Sequence, residues 1–483
     1  MKHDPKKLLK AQKNLRNKPY CHKDHALPIT RRQLLGQGFC SMAGGLLAPS
    51  FLSSLFARSA MANECPSAPM VLEHTPYLHF ELSGGASLSG NFIFGKQKDG
   101  APLELLNSYD SLGLPAEFSP NMGVDTTFLG PMAPTSAFLA GMVSVMSENA
   151  KAKTVVTAGA GTSNDDTANN PLNGSNLAIN SVGGNGNLVQ LAGTRNSLTG
   201  GRTRELDIGL DPTLSKATIN QSKDVLNLVD PGLLASQLSS DAAAKILKAA
   251  SRLTASQLAR FEQQDLPSQI KSLVECGYLN SVDLLTRYDA SALDPALDPL
   301  VTASSFDLTD RDDQKVAAIA KMLADGNAAA GTIEKGGYDY HGRGRQVQDA
   351  RDFSAGRDVG LCLDLCERKK RPLFIAVTSD GAVSFRRRDA RSDSGVRGAY
   401  LMIALGVEER PNVLKTQIGA YNDQGAVDTG YLVTASNPKI QALNIVYNYA
   451  AFCQKMDGFL AMLAKEGVKN PFQNQDEKYL VFA

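Results

Sequence analysis

Two uninterrupted apolar runs constrain this chain more than any other feature. Leu373-Phe374-Ile375-Ala376-Val377, after Pro372 and before Thr378, shows no polar alternation, and neither does Ala399–Leu405. Such runs read as strands buried on both faces, which requires helices above and below a sheet. The flanking pattern supplies the helices. Asp312 to Asp325 is amphipathic, Arg345 to Lys370 reads as a long helix, and Ile440 to Glu466 as a final one. The expected fold class is α/β, a mostly parallel central sheet flanked by helices.

The N-terminal half repeats the alternation. Leu72 to Leu82 reads as a strand ending in the turn Ser83-Gly84-Gly85, Phe138 to Asn149 as a helix, and Thr154 to Thr157 as a buried strand. Strand, helix, strand implies a βαβ unit. Residues 163–201 are polar, rich in Asn and Gly and without clear period, and are expected to be a long functional or mobile loop. Residues 213–300 carry helical stretches, Ser240–Ala255 and Ser256–Cys276, punctuated by Pro267, Pro295 and Pro299, and read as a helical insertion.

Residues 1–62 stand apart. Arg31-Arg32, a Gly- and Ala-rich apolar run, and Ala60-Met61-Ala62 have the layout of a secretory leader. The paired arginines resemble the twin-arginine class, which implies recognition by the Tat export machinery, cleavage after about Ala62 and a periplasmic product. Gly44-Gly45, Pro49 and Arg58 interrupt the run, so a membrane anchor is the weaker reading and no stable span is expected after cleavage.

The leader also hides the charge of the rest. Residues 1–62 hold eleven Lys and Arg against two Asp and Glu; residues 63–483 hold 39 against 47, a balance of −8. An acidic body argues against nonspecific nucleic-acid binding, so any anion must be met by a local patch. Five cysteines follow the leader, an odd number: Cys65, Cys276, Cys362, Cys366 and Cys453. Cys362 and Cys366 fall one turn apart on the long helix, a poor spacing for a mutual disulfide, and read as core packing.

In open α/β sheets, ligands bind beyond the carboxyl ends of the strands. That rule selects Ser83–Asn91, Thr162–Asn170, Asp339–His341, Ser379–Asp380 and Asp393. Ser87, Ser89 and Thr162 are candidate nucleophiles, although a hydroxyl needs a base or metal to activate it. Asp339 and His341 stand two apart and share one face if the backbone is extended, so both can reach one divalent ion. Arg386, Arg387, Arg388 and Arg391 follow the 373–380 segment and can present guanidinium forks to a phosphate, sulfate or carboxylate on a small molecule or glycan.

Taken in order, these segments resemble the DUF1501 family, secreted proteins of the alkaline phosphatase and sulfatase superfamily. That family's pattern runs from a Ser-Gly-Gly turn with a nearby Asp, through Gly-Gly-Trp-Asp-Thr-His and Ser-Glu-Phe-Gly-Arg, to Asp-His-Gly. This chain has Leu82-Ser83-Gly84-Gly85, Gly336 to His341, Thr378-Ser379-Asp380-Gly381 and Ser392-Asp393-Ser394-Gly395. The resemblance spans about residues 70 to 465.

The departures fall on the chemistry. Ser87 stands at the early Asp position, Ser394 at the Asp-His-Gly histidine, and Asp380 replaces the Glu without an aromatic-Gly-Arg after it. The resemblance implies Asp and His ligands around one or two metals. With two positions changed, it leaves at most one divalent cation, held by Asp339, His341, Asp380 and Asp393. That oxygen-rich set suits Mg²⁺, Mn²⁺ or Ca²⁺ better than Zn²⁺. The expected function is binding on a catalytically degenerate phosphatase/sulfatase scaffold. The alternative is a metal-dependent phosphate or sulfate ester hydrolase with a single-ion site.

Overall fold

Leu373–Ser379 and Ala399–Leu405 lie next to each other in the middle of an eight-stranded mixed sheet, every residue of both buried. The computed structural model describes residues 74–96, 104–114, 118–119, 123–163, 166–212, 214–228, 290–339, 344–386, 389–393, 396–432 and 437–483. The expected leader (1–62) and the stretches Ser240–Ala255 and Ser256–Cys276 lie outside these residues.

In chain order the first elements are β1 (Tyr77–Leu82), β2 (Gly95–Lys96), β3 (Glu104–Leu105), α1 (Ala137–Val145), α2 (Glu148–Lys153) and β4 (Thr154–Ala160). There follow α3 (Ser175–Val182), β5 (Val189–Gly193), β6 (Lys216–Thr218), α4 (Arg311–Ala324), β7 (Ala328–Lys335) and α5 (Arg345–Arg368). The chain continues with β8 (Leu373–Ser379), β9 (Ala382–Arg386), β10 (Asp389–Asp393), β11 (Ala399–Leu405) and β12 (Gln417–Ile418). Helices α6 (Pro438–Phe452) and α7 (Met456–Lys465) follow, and a four-residue helix at Asp476–Tyr479 comes last.

The sheet order is β12-β4-β11-β8-β1-β7-β5-β6, and only β11 runs against the others. Strands β1 and β4 are parallel but not neighbours, because β8 and β11 lie between them. On one face Tyr77, Phe374, Ala376, Tyr400 and Met402 pack with α3, α6 and α7 in one apolar cluster. The other face is covered by α1, α4 and α5. There Gly331 sits under Ile319 and Leu323 of α4. No helix among the described residues is long and apolar enough to cross a membrane.

Several expected elements are subdivided. The helix expected over 138–149 stops at Val145, because Met146 turns extended and the Ser147 side chain accepts from Ala150 N to start α2. The helix expected over 440–466 breaks between α6 and α7, where Gln454 adopts φ +55°. The aperiodic stretch 163–201 holds α3 and β5 rather than one long loop. The region expected as a helical insertion opens with β6, a parallel edge strand beside β5. Cys362 and Cys366 are buried free thiols on α5, as their spacing implies; burial pushes the Cys366 thiol up to about 12.

Candidate functional site

The parallel register brings the carboxyl ends of the central strands level. Leu82 pairs with Ser379 on one side of β1 and with Lys335 on the other, so the chain leaves three adjacent strands at one rim. The turn after β1 is forced by close backbone approach. Gly84 and Gly85 take φ of +113° and +102°, and a Cβ on Gly84 would lie 2.6 Å from the Asp339 backbone nitrogen. Only glycine fits there without strain. Ser83 N donates to Lys335 O at 2.9 Å, and Tyr338 N donates to Ser83 O at 3.1 Å, tying this turn to the segment after β7.

Asp380 organises the rim. Its side chain is buried; Oδ1 accepts Gly84 N–H at 2.8 Å and Oδ2 accepts the Thr167 hydroxyl at 2.6 Å. The Ser163 hydroxyl donates to Asp380 O at 2.5 Å. Ser379 bridges as well: its Oγ donates to Leu82 O at 2.6 Å and accepts Ala86 N–H at 2.7 Å. Four of the five segments selected by the strand-end rule thus meet at one place: 83–91, 162–170, 339 and 379–380.

The individual candidates are placed less simply. Ser87 and Ser89 are fully buried, and each hydroxyl donates to Leu112 O at 3.3 Å. Thr162 is half-buried, and its carbonyl accepts Gln441 Nε2 at 2.5 Å. Asp339 is exposed and lies beyond the end of β7, after Gly337 at φ +88°, so it is not in the extended strand that the shared-face argument assumes. His341 lies outside the described residues. Asp393 and Arg391 belong to β10 and Arg386 to β9, an antiparallel hairpin in which Asp389 pairs with Arg386 and Arg391 with Ser384. Arg386 and Arg391 therefore fall on the two strands of a hairpin; Arg387 and Arg388 lie outside the described residues. Among the described residues no three Asp, Glu, His or Cys side chains are grouped to hold a metal.

Three buried carboxylates near this rim escape sequence reasoning. Glu81, next to last in β1, accepts Asn173 Nδ2 at 2.7 Å, Arg202 N at 2.6 Å, Thr203 N at 3.2 Å and the Thr203 hydroxyl at 2.5 Å. Burial raises its pKa and these donors oppose the rise. Two residues earlier, His79 is locked between Tyr77 Oη at 3.1 Å and Thr378 Oγ1 at 2.8 Å, and burial pushes it down to about 3. It is therefore neutral at physiological pH.

Asp352 on α5 is the second. It accepts Asn91 Nδ2 at 3.0 Å and Gln348 Nε2 at 3.2 Å, and burial pushes it up to about 7. The third, Glu334 at the end of β7, pairs with Arg195 at 3.0 Å through one oxygen. The sequence signal for Glu81 was a carboxylate in a strand whose other polar residue is His79, and Glu334 stands beside Lys335 at the polar end of β7.

Beside Glu334 a cleft of about 300 Å³ opens between the end of β7, α4 and α5, next to Thr194. Its polar lining carries both signs of charge. Comparisons of this chain with protein-family models, with curated proteins and with solved structures returned no match.

Proposed function

We propose that this chain is a binding protein of the periplasm, built on an alkaline phosphatase/sulfatase-type scaffold whose catalytic rim has been turned to structural use. The single observation that carries this reading is the employment of Asp380, whose two oxygens are taken by Gly84 N–H and the Thr167 hydroxyl. A carboxylate in that role fixes loops. The candidate nucleophiles support the same reading, since Ser87 and Ser89 donate to a backbone carbonyl, which is no general base. The resemblance to DUF1501 proteins, with its substituted ligand positions, points the same way.

A second reading has one observation in its favour. The Asp339 backbone abuts Gly84, whose N–H is held by Asp380, so two of the four candidate ligand residues meet at one turn. A single Mg²⁺, Mn²⁺ or Ca²⁺ there makes this a phosphate or sulfate ester hydrolase.

Metal titration of the purified protein by calorimetry, with Asp339→Ala alongside, separates the two. The binding reading expects the same weak heats from both proteins. Stoichiometric uptake of one ion, lost in Asp339→Ala, overturns it in favour of the hydrolase.

A further inference from the structure

Helix α5 sets a buried carboxylate against the rim turn 83–91. Asp352 and Gln348, one helical turn apart, are only 2 % and 3 % exposed. Asp352 Oδ2 accepts Gln348 Nε2 at 3.2 Å and Asn91 Nδ2 at 3.0 Å. Asn91 also donates to Ser87 O at 3.2 Å and accepts the Ser136 hydroxyl at 2.6 Å. Ser136 in turn caps α1 by accepting Leu139 N–H at 3.0 Å. One carboxylate oxygen thus fastens the turn, the start of α1 and α5 together.

The other oxygen is left over. Asp352 Oδ1 and Gln348 Oε1 are both buried, and neither has a hydrogen-bond partner among the described residues. Two buried acceptors without a donor are costly, and one proton between them satisfies both. The elements packed around the pair bring little charge to it. The turn contributes Ser87 and Asn91, and α1 holds no charged residue. Asp313 of α4 and Lys335 of β7 meet α5 further along, at Arg357 and Asp358. On α5 itself Asp349 disfavours a charge on Asp352 and Arg345 favours it. The Tyr338 phenol, whose Oη donates to Arg351 O at 3.0 Å, is held neutral by burial.

We propose that Asp352 is carried as the protonated acid and closes a ring with Gln348, a latch that holds the 83–91 turn on α5 until the proton leaves. In the ring Asp352 Oδ1–H donates to Gln348 Oε1, while Gln348 Nε2 donates to Asp352 Oδ2. A carboxyl and a primary amide are planar groups of matching shape, so the bond already present favours the second. Loss of the proton turns that second bond into a contact between two buried acceptors, which favours opening of the turn. Burial pushes Asp352 up to about 7, against 3.8 ordinarily. The opened turn, in which Asp352 titrates at its ordinary value, therefore gains on the closed one as pH rises between these values and no further above them. The latch goes beyond the proposed function and is the same whether the rim binds or catalyses.

Amide hydrogen exchange of the purified protein tests the latch. The Gly90 and Asn91 amides donate to Ser87 O and Leu88 O at 3.0 and 3.1 Å and report on the turn. Between about pH 5 and 7 their exchange is expected to rise by up to about tenfold per pH unit beyond the intrinsic base-catalysed increase, and above about pH 7 by that increase alone. Asp352→Asn keeps a donor for Gln348 Oε1 at every pH and is expected to show the intrinsic increase throughout. Equal profiles in the two proteins overturn the proposal. Infrared pH titration of the buried acid's C=O band, identified by its absence in Asp352→Asn, tests where the proton goes. As a donor alone Gln348 favours the ionised form, whereas as a partner in the ring it favours the acid. Gln348→Met is therefore expected to lower the midpoint by about one pH unit. A raised or unmoved midpoint overturns the ring.

Discussion

Asp380 Oδ1 accepts the Gly84 N–H at 2.8 Å, joining positions 296 residues apart at the ends of neighbouring strands. The other oxygen holds Thr167, so one carboxylate fastens the loops after β1, β4 and β8. Asp380→Ala leaves a backbone donor and a buried hydroxyl without their acceptor. It is expected to cost about 2–4 kcal/mol, since bonds to a charged acceptor are the strong ones. Urea unfolding checks this through a lowered midpoint at unchanged slope; an unshifted midpoint would show that the rim does not depend on this residue.

Asp352 sets a pH dependence. Burial holds its pKa near 7 in the folded protein against 3.8 ordinarily, outweighing the Asn91 and Gln348 hydrogen bonds; Asp349 adds to the rise and Arg345 opposes it. The native state therefore keeps a proton that the unfolded chain releases between these values. Stability contributed this way is full below about pH 4, falls as pH rises to about 7, and is flat above. Asp352→Asn is expected to flatten that slope and to be more stable than wild type near pH 8, by roughly 4 kcal/mol at most. Thermal unfolding across that range checks it. Parallel curves for the two proteins would contradict it.

Asp298 and Asp325 share two ammonium groups. Lys321 lies 2.6 Å from each, and Lys369 lies 2.7 and 2.5 Å away. The cluster ties the segment before α4 to the C-terminal ends of α4 and α5. Burial alone would raise the Asp298 pKa, but the two lysines outweigh it and hold the group below the usual carboxylate range. Asp298→Ala strands buried positive charge and is expected to destabilise by about 3–5 kcal/mol. A double-mutant cycle of Asp298→Asn with Lys369→Met should show coupling above about 1 kcal/mol; simple additivity would refute the cluster.

Gly356 lets α5 cross α1 closely. A Cβ there would sit 1.9 Å from Phe138 O, a backbone atom that cannot yield alone. Helix propensity favours alanine by about 1 kcal/mol, yet overlap of this kind costs about 1–3 kcal/mol or more. Gly356→Ala is expected to lower the melting temperature, whereas a gain would mean that the crossing relaxes freely.

The parts legible in the sequence were those fixed locally. The apolar runs of β8 and β11, the periodicity of α4 and α5, and the Ser83-Gly84-Gly85 turn carry their own signals, and the strand-end rule correctly gathered Ser83, Thr167, Asp339 and Asp380. Other features depend on partners distant in the chain. Glu81 is explained by Asn173 and Thr203, Asp352 by Asn91, and Glu334 by Arg195 and an empty acceptor. The breaks at Ser147 and Gln454 were missed because a capping serine or a single left-handed residue outweighs an unbroken apolar period.

Turnover of aryl phosphate and aryl sulfate esters by the wild-type chain and by Asp380→Asn, each with Mg²⁺, Mn²⁺, Ca²⁺ or Zn²⁺, bears most directly on the role of the rim. No metal-dependent turnover is expected from either protein, with a loss of stability in the variant. Metal-dependent turnover by wild type that falls at least about a hundredfold in Asp380→Asn would contradict it, because that carboxylate would then be serving chemistry and not only the loops it holds.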